Sequence, residues 1–405
     1  MGKAWGVMWA AYLASVAVVV NQFKVPPVMD ILLNQLHIDM ALGGWLMSVF
    51  AVAGVVLSLP AALVLDRVGG KLSGMLALIC TVIGSVLGGF AMNAAVLLAG
   101  RVIEGIGLGL MAVVAPAVIV MWFPPEKRGV PMGIWASWVP VGSFLIFNLA
   151  NLLIPAFSWR GVWWFGTLIA LAALIVYALV VADPPKVAGT GQEATNSTDK
   201  VSYNSALKRP AIWLLAAGFG GFGFANAGFV TWAPSYLTQA HNISPELANF
   251  YVSLSPMVAI ISTVIAGWAI DKLQRPKTML VISSVVACFL YGYSFLLGSA
   301  GWIVPWMLML GFFPGFFATT TFTLAPEAVA SPQLAGLAMA VLNLLFNVGF
   351  VLGPPVVGGI VNNAQANWGA GSIPLTSALS ISIATSLLFA KIMGKKPERQ
   401  NESAF

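Results

Sequence analysis

The first apolar run of this sequence holds polar side chains where lipid-facing residues are expected. The stretch "VVVNQFKVPP", residues 18–27, places Asn21, Gln22 and Lys24 directly before Pro26 and Pro27. Asn21 and Lys24 are three apart and share a helix face. Two prolines just beyond them bend a helix and free backbone carbonyls beside the lysine. A fixed ammonium next to an amide suits the binding of a small anion. The competing possibility is that Lys24, about 28 Å along the helix from Trp5, snorkels to the membrane interface and binds nothing. A second pair, Arg101 and Glu104 in "AGRVIEGIG", is also three apart. Buried, such a pair is costly unless its geometry is good and further hydrogen bonds support it. A carboxylate beside an arginine can change its proton affinity as a cavity opens and closes. Glu104 is therefore the candidate proton site. If Glu104 offsets Arg101, Lys24 is left as uncompensated positive charge, which a monovalent anion would balance.

The elements that must position these groups follow from composition. The chain has 405 residues, 59% hydrophobic and 8% charged, against about 25% charged in a soluble domain. Apolar runs of about 20 residues recur, each long enough to span a bilayer, and in hydrocarbon such runs must be helical. Spans are expected at 5–33, 43–65, 72–92, 94–122, 129–153 and 160–182, then at 211–237, 247–270, 278–298, 302–325, 334–361 and 371–391. The first run continues too far for a signal peptide, so it reads as span 1. The fold class is thus an all-α membrane protein with twelve transmembrane helices. Of the 19 lysines and arginines, all but Lys24, Arg101 and Arg160 fall on one face in this arrangement. The positive-inside rule then puts both termini in the cytoplasm. That makes the protein a multi-pass component of the cell (inner) membrane.

Residues 183–210 form the one long polar stretch and read as a flexible cytoplasmic linker. They divide an N-terminal six-helix bundle, 1–182, from a C-terminal one, 211–405. The halves echo each other: "LDRVGGK" after span 2 matches "IDKLQRPK" after span 8, and "FPPEKRGVPMG" matches "LAPEAVASPQLAGLAMA". Internal repeats of this kind are a feature of secondary transporters.

With these motifs in view, the chain resembles the major facilitator superfamily over essentially its whole length. The loop signature after span 2 is carried by Asp66, Arg67, Gly69 and Lys71, with Ala62 where the family has a first glycine. The second copy keeps Gly267, Asp271, Lys272 and Arg275 but has Gln274 in place of the later glycine. Arg101 and Gly105 fit the span 4 signature. The glycine-flanked Gly-Pro of many antiporters is replaced in span 5 by "GIWASWVPVGS", while "GFVLGPPVVGG" stands in span 11; this disfavours a drug/proton antiporter. Lys24 and its spacing to Trp45 are similar to the monocarboxylate carriers. "GLMAVVAPAVIVMWFPPEKRGVPMGIW" is similar to the cyanate and nitroimidazole-type carriers. The resemblance implies two pseudo-symmetric bundles that rock about a central site. It also implies a gating role for Asp66, Arg67, Arg128 and Asp271 at the cytoplasmic side.

The expected function is secondary transport of a small, monovalent organic anion such as a monocarboxylate, by proton symport. Substrate contacts are expected from Asn21, Lys24, Arg101, Trp138, Asn226, Tyr251, Asn343 and Asn347, with Glu104 coupling the proton. For Trp138, Trp232, Tyr236 and Tyr251, helix packing or an interface belt is the plainer role. For the asparagines, interhelical hydrogen bonding competes equally. The alternative function is a proton-driven efflux pump for amphipathic compounds, which the aromatic- and Met-rich spans would suit. A sensor would need a signalling domain, for which linker and tail are too short. No nucleophile–base set or metal-ligand cluster suggests an enzyme, a cofactor or a metal. Cys80 and Cys288 read as small core residues. The partners expected are the anion, protons and lipid, with no nucleic acid, and the carrier is expected to be a monomer.

Overall fold

The computed structural model describes residues 2–124, 127–182, 206–329 and 334–394, except for the side chains of 54, 57–59, 62, 66, 335 and 394. Ten stretches among them are long and apolar enough to cross a bilayer. One of these, Gly129–Val180, is interrupted twice, between Gly129–Ala136 and Trp138–Val180 and again at Ser158 (φ 58°, ψ −170°). The break at Ser158 separates spans 5 and 6. Spans 2 and 3 run as Met40–Gly89 with a single break at Gly69 (φ 80°, ψ 169°). The six-residue gap expected there is therefore a one-residue reversal, at a glycine that tolerates positive φ. Span 4 is Ala94–Trp122. The second half consists of Pro210–His241, Pro245–Leu273, Pro276–Tyr293, Ile303–Val329, Ala335–Asn363 and Trp368–Gly394. Residues 183–205 of the expected linker lie outside the described residues.

Local sequence sets many of the helix ends. Asp39 and Asn93 accept hydrogen bonds from the backbone of Leu42 and Val96 at 2.8 and 3.0 Å, as N-caps do. Pro210, Pro245 and Pro276 occupy first helical positions, where a missing N–H costs nothing.

Span 1 is the exception to helical continuity. Its helix stops at Gln22, passes through a 3-10 turn at Pro26–Val28 and resumes as Met29–Leu36. The carbonyl of Gln22 would pair with the N–H four residues on. That residue is Pro26, which has none.

Helices in lipid gain little from apolar contact, so they pack through small residues that let backbones approach. Spans 3 and 4 do this: a methyl group added at Gly84 would lie 2.5 Å from the Gly100 carbonyl. The two bundles meet in the half of the molecule away from the termini. There a methyl on Gly44 of span 2 would lie 2.5 Å from the Pro354 carbonyl of span 11. The side-chain hydrogen bonds described between the bundles lie on this far side. Asp30 accepts from Thr238 at 2.9 Å and from Gln239 at 3.1 Å. Asn249 donates to Asn151 at 2.9 Å, and Asn148 donates to Ser253 at 3.1 Å.

Gly84→Leu should be the costliest kind of change in the span 3–4 seam. Overpacking of this sort costs about 1–3 kcal/mol. The expected outcome is a melting temperature in detergent several degrees below that of the wild type, whereas Leu179→Ala, at a residue 81% exposed, should leave it unchanged.

Candidate functional site

The break in span 1 organises a buried charge network. At the end of this helix, where Pro26 cannot pair with the Gln22 carbonyl, the carbonyls of Asn21 and Gln22 accept from Arg101 of span 4. Its Nη1 donates to the Asn21 carbonyl at 2.6 Å and its Nη2 to the Gln22 carbonyl at 2.8 Å. Nε donates to the Leu46 carbonyl of span 2 at 2.9 Å, and the guanidinium lies 4.3 Å from the centre of the Phe50 ring. One guanidinium thus clamps spans 1, 2 and 4 through its fixed fork of donors.

Glu104 lies one turn along from Arg101 and bridges both cations. Its Oε2 accepts from Arg101 Nη1 at 2.7 Å and its Oε1 from Lys24 Nζ at 2.5 Å. Lys24 has three ammonium protons, and the other two go to Asn21 Oδ1 and Ser85 Oγ, each at 2.8 Å. Asn21 is held in turn, donating to the Ala17 and Gly166 carbonyls at 2.9 and 3.0 Å. Ser85 donates to the Trp163 carbonyl at 2.8 Å, and the Trp163 ring lies 4.8 Å from the ammonium. Lys24, Arg101 and Glu104 are all completely buried. Two cations and one carboxylate leave the cluster with one surplus positive charge.

The geometry differs from the expectation at two points. Lys24 neither snorkels to the interface nor lines the cavity between the bundles; it points into the first bundle among spans 1, 3, 4 and 6. Glu104 does not offset Arg101 alone but shares its two oxygens between both cations.

A cavity of about 360 Å³ lies between the bundles. Spans 5, 7, 8, 9 and 10 line it, with Phe23 of span 1 at its edge. Asn226 faces it and donates to the Tyr291 hydroxyl at 2.9 Å. Ser137, Ser143, Ser255 and Thr263 are its other polar side chains, and no charged residue lines it among the described residues.

The remaining expected site residues do not gather there. Trp138 stacks on Trp135 at 5.4 Å beside the lining residues Ser137 and Val139. Tyr251 packs 6.2 Å from Phe250 and does not line the cavity. Asn343 and Asn347 each donate to a carbonyl of their own helix, Met339 at 2.9 Å and Asn343 at 2.8 Å. Trp232 and Tyr236 are buried in packing, with Trp232 Nε1 donating to the Pro354 carbonyl at 2.8 Å. Of the gating candidates, Arg67 and Asp271 are exposed, and Arg128 donates to the Phe123 carbonyl at 2.9 Å. The side chain of Asp66 lies outside the described groups. Among the described residues the only ion pairs are the two made by Glu104. Ser85 and Tyr291 carry site contacts that sequence alone gave no reason to choose; a serine or tyrosine in an apolar run looks like packing.

Ten stretches long and apolar enough to cross a bilayer, with a cavity between the two halves, make this a multi-pass membrane protein. The chain belongs to the Major Facilitator Superfamily, which it matches over residues 11–354. It is similar to the hexuronate transporter of Bacillus subtilis (strain 168), at 22% identity over 373 residues, covering 89% of this chain and 88% of that protein. The D-galactonate transporter of Escherichia coli O6:H1 is 25% identical over 345 residues, covering 78% of this chain and 79% of its own. In fold, the chain matches the crystal structure of a bacterial homolog to the human lysosomal transporter Spinster, in its inward-facing and unoccupied conformation. That match has a TM-score of 0.76 at 19% identity, over 96% of this chain and 95% of the other. The family and these relatives are transporters, and the protein is not an enzyme.

Removing one partner from a buried ion pair strands the other and costs about 3–5 kcal/mol. Glu104→Gln should therefore lower the melting temperature well below that of the wild type, since it strands two cations. Adding Lys24→Met should recover part of the loss, because only Arg101 then lacks a counter-charge. A double variant less stable than Glu104→Gln alone would contradict the shared-carboxylate geometry.

Proposed function

We propose that the protein carries a small monovalent organic anion together with a proton, by alternating access, across the cell (inner) membrane with its termini in the cytoplasm. The observation that carries this reading is that Glu104 Oε1 holds the Lys24 ammonium at 2.5 Å inside a cluster with one surplus positive charge. Arg101 is fixed by three carbonyls, whereas Lys24 is held only by side-chain atoms. A proton on Glu104 removes the charge that holds Lys24. The cluster then has two uncompensated cations in a low-dielectric site, a state that is costly alone. An anion at Lys24 restores the balance. Phe23, the neighbour of Lys24, already edges the cavity, so a short swing of a flexible lysine side chain would bring its ammonium toward the cargo. Proton and anion are in this way each favoured by the other's presence, which is what symport requires.

Relatives named for hexuronate and D-galactonate, both carboxylates, support an anionic cargo. In this reading Asn226 meets the cargo in the present arrangement. Asn21, Trp138, Tyr251, Asn343 and Asn347 would do so only after rearrangement. The bundles 1–182 and 211–405 would rock apart on the far side, breaking the Asp30–Thr238 and Asn151–Asn249 contacts. Asp66, Arg67, Arg128 and Asp271 would then close the terminal side. The uncharged, largely apolar cavity also favours a second reading, efflux of amphipathic compounds driven by protons.

In proteoliposomes with an inward proton gradient, the wild type should accumulate a labelled small carboxylate. Glu104→Gln should lose accumulation but keep counterflow exchange, because the anion site survives without its proton partner. Undiminished accumulation by Glu104→Gln would remove the coupling role. Proton-driven export of lipophilic cations with no carboxylate transport would favour the second reading.

A further inference from the structure

The lining of the cavity narrows which anion fits it, given the anion reading above. At about 360 Å³ the space falls within the roughly 300–1,000 Å³ usual for small-molecule sites. Three phenylalanines, Phe23, Phe147 and Phe222, line it. Behind Phe222 stand the rings of Phe219, Phe317 and Phe346, with centroids at 5.9, 5.6 and 6.2 Å. The wall is therefore aromatic to a depth of two layers.

Three of its four serine and threonine hydroxyls are already engaged. Ser137 donates to the Ile134 carbonyl at 2.7 Å, Ser143 to the Val139 carbonyl at 2.9 Å and Thr263 to the Ile260 carbonyl at 3.0 Å. A hydroxyl has one proton to give, so these groups can offer a cargo only their acceptor side. Ser255 and the Asn226–Tyr291 pair remain as a small polar clamp for one or two oxygen atoms. A polyhydroxylated acid would surrender water at every hydroxyl and leave most of its oxygens without donors. One proton and one monovalent anion leave the net charge of the Lys24–Arg101–Glu104 cluster unchanged.

We infer that the cargo is a monocarboxylate with an aromatic or branched apolar body, taken with one proton per molecule. The body packs among Phe23, Phe147 and Phe222, the carboxylate faces Lys24, and a ring or chain oxygen, where present, meets Asn226 and Tyr291. Sugar acids such as those that name the relatives are disfavoured.

The test is thermal stability of the purified full-length carrier with phenylacetate, D-gluconate or tetraphenylphosphonium, at a mildly acidic and at a neutral pH. A ligand that binds only the folded state raises the melting point in proportion to its affinity. Phenylacetate should stabilise at concentrations at least tenfold lower than D-gluconate. Ala259→Phe and Ala318→Phe, which fill the cavity from spans 8 and 10, should each abolish the phenylacetate shift while leaving the size-exclusion profile intact. Two cavity variants guard against one failing to fold. Equal or stronger stabilisation by D-gluconate would overturn the inference while leaving the anion reading standing. A phenylacetate shift that survives in both filled variants would place the site elsewhere and overturn it too. A shift with tetraphenylphosphonium alone would sink both readings.

Discussion

The carboxylate of Glu104 lies between two buried cations, and the first bundle is arranged around that contact. Ion pairs away from water are stable only when both charges are close and every remaining proton has an acceptor. Here the geometry supplies the first condition and nearly all of the second. Glu104 reaches Arg101 and Lys24 at 2.7 and 2.5 Å. Asn21 and Ser85 take the other two Lys24 protons, and three carbonyls take three of the four remaining Arg101 protons. The interruption of span 1 suits this arrangement, since an unbroken helix would have engaged the two span 1 carbonyls that Arg101 uses. Pro26 removes the helical partner of one of them, the Gln22 carbonyl.

In the proposed mechanism the same contact separates binding from coupling. The cavity is uncharged and mostly apolar, and the charge lies behind it in the first bundle. A carrier built this way divides the labour between its halves. The second bundle supplies most of the cavity wall, and in the proposed mechanism the first supplies the charge that changes on protonation. The far-side seal between bundles rests on polar contacts of Asp30, Asn148 and Asn151 and on the close approach at Gly44. These are local, separable contacts of the sort that rocking bundles can break and remake.

Much of this was legible in the sequence because lipid imposes strict rules. The lengths of the apolar runs, the one-sided basic residues and the loop echoes fixed the helices and their order. The pairing of Asn21 with Lys24 and of Arg101 with Glu104 followed from a spacing of three. That the two pairs merge into one cluster was not legible, because it depends on spans 1 and 4 packing at a shared depth. The cavity was harder still. Asn343 and Asn347 looked alike on one face, yet both amides bond their own helix. Asn226, by contrast, finds Tyr291 on a neighbouring span. Sequence spacing gives the face of a residue on its own helix, and not what that face meets. The Gly69 reversal shows the same limit, since two helices with a one-residue joint read as two helices with a loop.

The most direct measurement is proton uptake on ligand binding, followed with a pH indicator in weakly buffered detergent solution. Under saturating carboxylate and across a series of pH values, the wild type should take up close to one proton per anion bound at the most alkaline of them, and Glu104→Gln should bind the anion with no uptake. Uptake that persists in Glu104→Gln, or anion binding to the wild type that moves no proton at any pH, would contradict competition between Glu104 and the cargo for Lys24.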